Sequence, residues 1–143
     1  MVLLTGIKVV HAESQTEEPE SLYNRLGGLA PIAVVVNDFI DVMVVDELLN
    51  ANPAIDAARK AVPASYLKYH VTAMVCQATG GPCQYQGRTM KASHAHLNIS
   101  EKEWDQMAVL LKGVFDKYEI PDKEQQELMD IAGSTQSDIV SKK

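Results

Sequence analysis

The sequence has no long apolar run, no basic cluster and only two cysteines, and each absence excludes a class of protein. A complete membrane span needs about 18 consecutive apolar residues, and no such stretch is present. The formal net charge is −6, and basic residues stand side by side only in the pairs Arg59-Lys60 and Lys142-Lys143. Nucleic acid is therefore not an expected partner, because phosphates require clustered lysine and arginine.

The two cysteines, Cys76 and Cys83, are too few for a disulfide framework and lack the spacing of a metal site. Two glycines lie between them, so the chain could bring the sulfur atoms together or keep them apart. We expect two free thiols, with a disulfide as the alternative.

Length and composition indicate one globular domain. The 143 residues are 46% hydrophobic and 22% charged, which is ordinary for a soluble protein. The first twenty residues differ: an apolar stretch leads into Val10-His11-Ala12, which resembles a signal-peptidase site, and an acidic stretch follows. We expect residues 1–20 to be a flexible extension or a signal remnant and residues 21–143 to be the folded domain. A soluble, cytoplasmic protein is expected, with an exported, periplasmic one as the alternative.

Apolar residues recur at helical spacing from residue 21 onward and predict an all-α protein with four main helices. Ser21 is expected to cap a short helix that Gly27 ends, and Pro31 suits the first turn of the next one. Residues 50–63 are predicted to be a loop with at most one helical turn. A further helix follows Pro63 and stops at Gly80-Gly81-Pro82.

The C-terminal half carries two more helix signals. Ser100 and Glu103 form a capping box ahead of an amphipathic stretch that reaches Tyr118. Pro121 opens the last helix, whose inward face extends to Ile139.

Two histidines, His70 and His94, lie on apolar helix faces with few charges near them. This is not a zinc pattern, because carboxylate and thiolate ligands are lacking. His94 and His96 would point about 200° apart on a helix, so they cannot both bind one buried iron. One histidine surrounded by apolar side chains suits heme, whose macrocycle is wrapped by such residues.

Several motifs carry a resemblance to a known family. They are Ser21-Leu22-Tyr23-Asn24-Arg25-Leu26-Gly27-Gly28, Thr79-Gly80-Gly81-Pro82, Tyr85-Gln86-Gly87-Arg88-Thr89-Met90-Lys91 and His94-Ala95-His96-Leu97. From residue 21 to about residue 140 the chain resembles the group I truncated hemoglobins. The resemblance implies a truncated globin fold, a two-over-two helical sandwich around heme b.

The resemblance also implies roles for the histidines. His94 aligns with the proximal iron ligand, and its second ring N–H should meet a backbone carbonyl or water. His96 is expected to face solvent or lie near a heme propionate. His70 falls where some cyanobacterial relatives carry a histidine that can bind the iron. It could ligate the iron, donate to a bound ligand, or lie at the pocket mouth.

The remaining pocket positions follow from the same alignment. Arg88 and Lys91 could pair with propionates or face solvent. The expected heme walls are Phe39, Ile40, Leu67, Val71, Met74, Met90, Leu97, Ile99, Trp104 and Met107.

This chain departs from the family on the distal side. Many members carry a tyrosine after the phenylalanine of the second helix, and its hydroxyl donates to bound oxygen, but here the pair is Phe39-Ile40. A hydrogen bond to a group with charge is worth about 1.5–3 kcal/mol, so its loss corresponds to about 10- to 100-fold in affinity. The usual aromatic clamp is also missing, because Asn50-Ala51-Asn52-Pro53 stands in its place.

The expected function is a monomeric heme protein that binds O₂, NO and CO for oxygen transport or sensing. The alternatives are a nitric oxide dioxygenase or peroxidase-like heme enzyme, which would need an unidentified reductase, and a bis-histidine electron-transfer protein. The sequence leaves the choice between ligand-binding globin and enzyme open.

Overall fold

The computed structural model describes residues 18–142, so most of the predicted N-terminal extension (residues 1–17) lies outside the described residues. Within that range the chain is helical, with one isolated β-bridge between Ile99 and Val140. The helices are α1 Leu22–Arg25, α2 Leu29–Val44, α3 Glu47–Asn50, α4 Pro53–Ala61, α5 Ala64–Ala78, α6 Met90–His94, α7 Glu101–Lys117, α8 Asp122–Gly133 and α9 Gln136–Ile139.

The four long helices form two pairs, as the sequence predicts. Helix α2 packs along α5, α7 packs on α8, and contacts between α2 and α7 join the pairs. The α2–α5 interface is built on Ile32, Val36 and Ile40, which recur at every fourth position and are at most 5% exposed. A second cluster joins α1, α7 and α8 through Leu22, Phe115 and Leu128.

Several of the predicted helix caps and helix starts are present in the structure. The side chain of Ser21 accepts a hydrogen bond from the Asn24 N–H and caps α1. Ser100 and Glu103 form the expected capping box at α7. Helix α5 begins directly after Pro63.

The loop predicted over residues 50–63 is wrong, because Pro53–Ala61 forms a nine-residue helix. Asn52 and Pro53 act as helix starters: the Asn52 Oδ1 accepts hydrogen bonds from the N–H groups of Ala54 and Ile55, and Pro53 occupies the first turn. Asp56 also pairs with Lys60 on the next turn.

The last predicted helix is interrupted. Helix α8 ends at Gly133, and Ile139 belongs to a separate short helix, α9. Helix α9 packs against α6, and the Ser141 N–H donates to the Ile99 carbonyl. The C-terminal segment therefore supports the short helix that ends at His94.

No helix within residues 18–142 combines the length and the apolar character that crossing a membrane requires.

Candidate functional site

His94 is the last residue of α6, a five-residue helix that begins after a threonine cap. The Oγ1 of Thr89 accepts a hydrogen bond from the Ala92 N–H and fixes the first turn. Helix α6 is too short to be stable alone, so its position depends on the segments joined to it.

The ring of His94 is half-buried and fixed through one nitrogen. Its Nδ1 lies 2.9 Å from the Met90 carbonyl oxygen and 2.9 Å from Ser93 Oγ. Because a carbonyl only accepts, Nδ1 carries the hydrogen in this bond. Burial lowers the pKa of His94, an effect that the bond to Met90 partly opposes, so the ring is neutral at pH 7. The neutral ring then has its lone pair on Nε2, the state that binds a metal.

The side chain of Asn52 links the chain after His94 to α4. The Leu97 N–H donates to the His94 carbonyl at 3.0 Å. The Nδ2 of Asn52 donates to the Leu97 carbonyl at 2.8 Å, while its Oδ1 caps α4. Asn52 therefore connects the start of α4 to the segment that follows α6.

His70 lies in the middle of α5 among three tyrosine rings. The ring centroids of Tyr66, Tyr69 and Tyr85 lie 4.3, 5.1 and 6.1 Å from that of His70. The Nδ1 of His70 is buried and has no hydrogen-bond partner. Such an atom costs about 1–3 kcal/mol of stability, so it marks a place where a further group would be favourable.

Four of the expected wall residues share the α2–α5 interface. Ile40 is 1% exposed and belongs to the cluster on which Phe39, Leu67 and Val71 pack. Ile40 is aliphatic and donates no hydrogen bond, as the sequence predicts.

The other expected wall residues are divided between partial and complete burial, and none belongs to the α2–α5 cluster. Ile99 and Trp104 are each 8% exposed. The half-buried ones are Met74, Met90, Leu97 and Met107.

The charged and polar residues around α6 face outward. His96 and Lys91 are exposed. Arg88 is exposed too, and its guanidinium donates to the Ala92 carbonyl.

The prediction of two free thiols is wrong: Cys76 and Cys83 form a disulfide, with their Cα atoms 5.7 Å apart. The reason is the turn at the end of α5. Gly80 has φ of +93°, which favours glycine, and the Gly81 N–H donates to the Cys76 carbonyl. The chain reverses there and returns Cys83 to the helix.

No cluster of three or more histidine, cysteine, aspartate or glutamate side chains suited to a metal ion occurs in the described part of the chain. A single imidazole with a free Nε2 suits a metal whose other ligands come from a cofactor.

Comparison with known proteins decides the family. The sequence model of the bacterial-like globins matches residues 21–141. This chain belongs to that family.

Two curated relatives narrow the assignment to the group 1 truncated hemoglobins. GlbN of Nostoc sp. (strain MUN 8820), a group 1 truncated hemoglobin, is 33% identical over 89 residues, covering 62% of this chain and 70% of the relative. GlbN of Nostoc commune is 32% identical over 88 residues, with the same coverage.

Two solved structures share the fold. The truncated hemoglobin from Tetrahymena pyriformis in the Fe(III) form has a TM-score of 0.75 and 20% identity. The 2/2 hemoglobin from Synechococcus sp. PCC 7002, in the cyanomet state and with covalently attached heme, has a TM-score of 0.74 and 24% identity. Each match covers 86% of this chain and 100% of the other. The predicted all-α, two-over-two fold is thereby confirmed.

Two features of the site were not predicted from the sequence. They are the shell of three tyrosines around His70 (Tyr66, Tyr69 and Tyr85) and the side-chain bond from Asn52 to Leu97. The spacing of Tyr66, four residues before His70, could have indicated a contact on one helix face. Tyr85 and Asn52 reach their partners only through the tertiary fold, so no local pattern could have found them.

Proposed function

We propose that this globin binds heme b through the Nε2 of His94 and that His70 is a second iron ligand, which leaves when O₂, NO or CO binds. Heme, when bound, would supply an iron that takes up a diatomic gas. The chain supplies the imidazoles, the apolar surroundings and the control of access.

One observation carries the proposal: the bond from His94 Nδ1 to the Met90 carbonyl. This bond fixes the tautomer and the orientation of the ring, as the outer partner of a metal-binding histidine does. It also leaves Nε2 free to act as ligand. The exposed neighbour His96 has no comparable hydrogen bond.

The donor set and its surroundings fit heme. Half-buried apolar side chains of α5, α6 and α7 offer surface to a macrocycle, among them Met74, Met90 and Met107. Their partial exposure means that burial against an apolar cofactor would add about 25 cal/mol for each Å² removed from water.

The distal role of His70 is supported by two observations. Its Nδ1 is buried without a partner, and Ile40 provides no hydroxyl for a bound gas. The imidazole of His70 competes with the gas for the iron. The apparent gas affinity therefore falls in proportion to the fraction of protein in which His70 is detached. We therefore expect gas binding to be limited by the departure of His70.

The cysteines argue for heme b rather than a thioether-linked heme. The chain has two cysteines, and both are used in the Cys76–Cys83 disulfide. Acid extraction of the loaded protein into an organic solvent should therefore leave no heme bonded to a cysteine. Heme that stays attached to Cys76 or Cys83 would contradict this assignment.

The disulfide also favours the exported alternative for location, because disulfides persist in oxidising compartments. Fractionation of the native source, with thiol-reactive labelling of the protein, tests this. Labelled thiols in a cytoplasmic fraction would contradict it.

Absorption spectra of the heme-loaded protein test the two ligands separately. We expect a low-spin spectrum for the ferric wild type and a high-spin spectrum for His70→Leu. We expect His94→Ala to transfer heme to a scavenger apoprotein about 10-fold faster than wild type or more, because the iron loses its protein ligand. His96→Ala is the matched control, because its imidazole is two residues away and exposed.

Three outcomes would contradict the proposal. Unchanged heme transfer in His94→Ala would refute the proximal ligand. A high-spin wild type that His70→Leu leaves unaltered would refute distal ligation. If the protein, supplied with a reductase, consumes NO catalytically and faster than it releases bound gas, the dioxygenase is favoured instead.

A further inference from the structure

Residues 83–88 form a strap that runs from the end of α5 back along that helix and into the start of α6. After the reversal at Gly80, the chain passes Gly81 and Pro82 and is bonded to α5 at Cys83. The strap then leads into Thr89, the cap of α6. It therefore connects the helix of His70 to the helix of His94.

Tyr85 is held at both its backbone and its side chain. Its backbone N–H donates to the Gln77 Oε1 at 2.6 Å, and its hydroxyl donates to the Arg88 carbonyl at 2.5 Å. Its ring covers Gly87 so closely that a Cβ there would lie 2.6 Å from the ring carbon Cε2. The backbone and the ring of Tyr85 are thus both fixed.

The fixed ring of Tyr85 packs edge-on against His70, with the ring planes 87° apart. The other two tyrosines of the shell, Tyr66 and Tyr69, belong to α5 itself and move with His70. Tyr85 is the member of the shell that comes from outside the helix. Its position depends on the strap, which the disulfide anchors two residues earlier.

We infer that the Cys76–Cys83 disulfide is a positioning element for the distal site: it holds Tyr85 against His70 and so preorganises that imidazole as a ligand. This inference rests on the proposed function of His70. Opening the disulfide lets the strap move, removes one wall of the shell and gives the His70 ring more conformations. A less ordered ligand binds more weakly, because ordering it costs conformational entropy.

The disulfide can be opened by a dithiol. A dithiol thiolate attacks the Sγ of Cys83, since Cys83 is half-buried whereas Cys76 is fully buried. The S–S bond breaks, and the Cys76 sulfur leaves as a thiolate and takes up a proton. The second dithiol thiolate then attacks the mixed disulfide and releases the Cys83 thiol. The protein gains two electrons and two protons, and the dithiol becomes a cyclic disulfide.

Azide binding to the ferric, heme-loaded full chain tests the inference without a reductant. Azide must wait for His70 to leave, so we expect binding about 2- to 10-fold faster in the variant C76S/C83S. Tyr85→Ala should give the same acceleration with the disulfide intact. Tyr85→Phe keeps the backbone bond and the ring that packs on Gly87 and His70, so it should bind azide nearly as slowly as wild type. Gln84→Ala, an exposed position on the strap, is the matched control.

Combining C76S/C83S with Tyr85→Ala shows whether the disulfide acts by positioning Tyr85 or by loosening the fold in general. If the disulfide acts through Tyr85, C76S/C83S together with Tyr85→Ala should bind azide no faster than either alone. Independent, additive effects would overturn the inference, and so would an unchanged rate in C76S/C83S or in Tyr85→Ala. If C76S/C83S does not fold, Tyr85→Ala and Tyr85→Phe still decide whether the ring of Tyr85 positions His70.

A readout on the heme-free protein distinguishes failure of this inference from failure of the proposed function. NMR relaxation of the His70 ring should indicate greater motion in C76S/C83S and Tyr85→Ala than in wild type or Gln84→Ala. If His70 ligates iron but its ring motion is the same in all four proteins, the inference is wrong. If ring motion changes but His70→Leu leaves the heme spectrum unaltered, the proposed function is wrong.

Discussion

Replacing Asn52 by alanine should destabilise the heme-free protein by about 2 kcal/mol. Asn52 has two separate tasks. Its Oδ1 accepts from the Ala54 N–H at 2.9 Å and caps α4, and its Nδ2 donates to the Leu97 carbonyl at 2.8 Å. Loss of an N-cap costs about 1 kcal/mol, and loss of a partly buried hydrogen bond costs about 1 kcal/mol more.

Two further variants separate these tasks. Asn52→Ser keeps an oxygen that can cap the helix but removes the donor to Leu97, so it should cost about 1 kcal/mol. Ser100→Ala is the matched control for a cap without a long-range bond, because Ser100 Oγ accepts only from its own helix at Glu103. It too should cost about 1 kcal/mol.

Unfolding by urea and by heat, each followed by circular dichroism, measures these differences in the free energy of unfolding. A cost of 1 kcal/mol corresponds to about 4 °C in Tm for a domain of this size, so Asn52→Ala should melt about 8 °C below wild type. The m-value should not change, since the same surface is exposed on unfolding. Equal losses for Asn52→Ala and Asn52→Ser would refute the reasoning, because the cap would then contribute nothing.

Two more changes have defined outcomes. In Gly81→Ala the new Cβ would lie 2.6 Å from Tyr23 Cε2 and 2.8 Å from the Cys76 carbonyl oxygen, so we expect a loss of about 1–3 kcal/mol by thermal melting; an unchanged Tm would contradict the close packing. The bond from Arg25 lowers the pKa of Glu127, so this pair stabilises the fold above the ordinary carboxyl pKa and the contribution is lost as the pH falls through the lowered value. The stability difference between wild type and Arg25→Met should therefore shrink on acidification, and a difference that is constant from pH 7 to pH 3 would refute the assignment.

The parts of the fold that the sequence predicts are those with local causes. The capping box at Ser100, the start of α5 after Pro63 and the glycine break after α5 each depend on residues within one helical turn. The missed helix α4 also has a local signal. Asn52 followed by Pro53 breaks a preceding helix and starts a new one, and the prediction used only the first of these two effects.

In the candidate site, too, local contacts were predictable from the sequence and long-range contacts were not. The bond from His94 to Met90 spans four residues of one helix, and a backbone carbonyl or water is expected there because the resemblance implies a metal-binding histidine. The contact between His70 and Tyr85 spans fifteen residues and a chain reversal. Side-chain pairs of this kind depend on the path of the backbone, which hydrophobic spacing does not determine.

The cysteine pair shows why contacts of this kind could not be predicted from local sequence. Seven residues separate Cys76 from Cys83, a spacing compatible with free thiols or a disulfide. The glycine turn after α5 reverses the chain, and Tyr23 of α1 packs against that turn: its N–H donates to the Thr79 carbonyl, and its ring lies where a side chain on Gly81 would stand. A glycine at position 81 therefore permits the close approach that returns Cys83 to α5. Because this contact comes from a helix more than fifty residues earlier, the local turn alone does not determine the disulfide, and the strap that it anchors beside His70 depends on the tertiary fold as well.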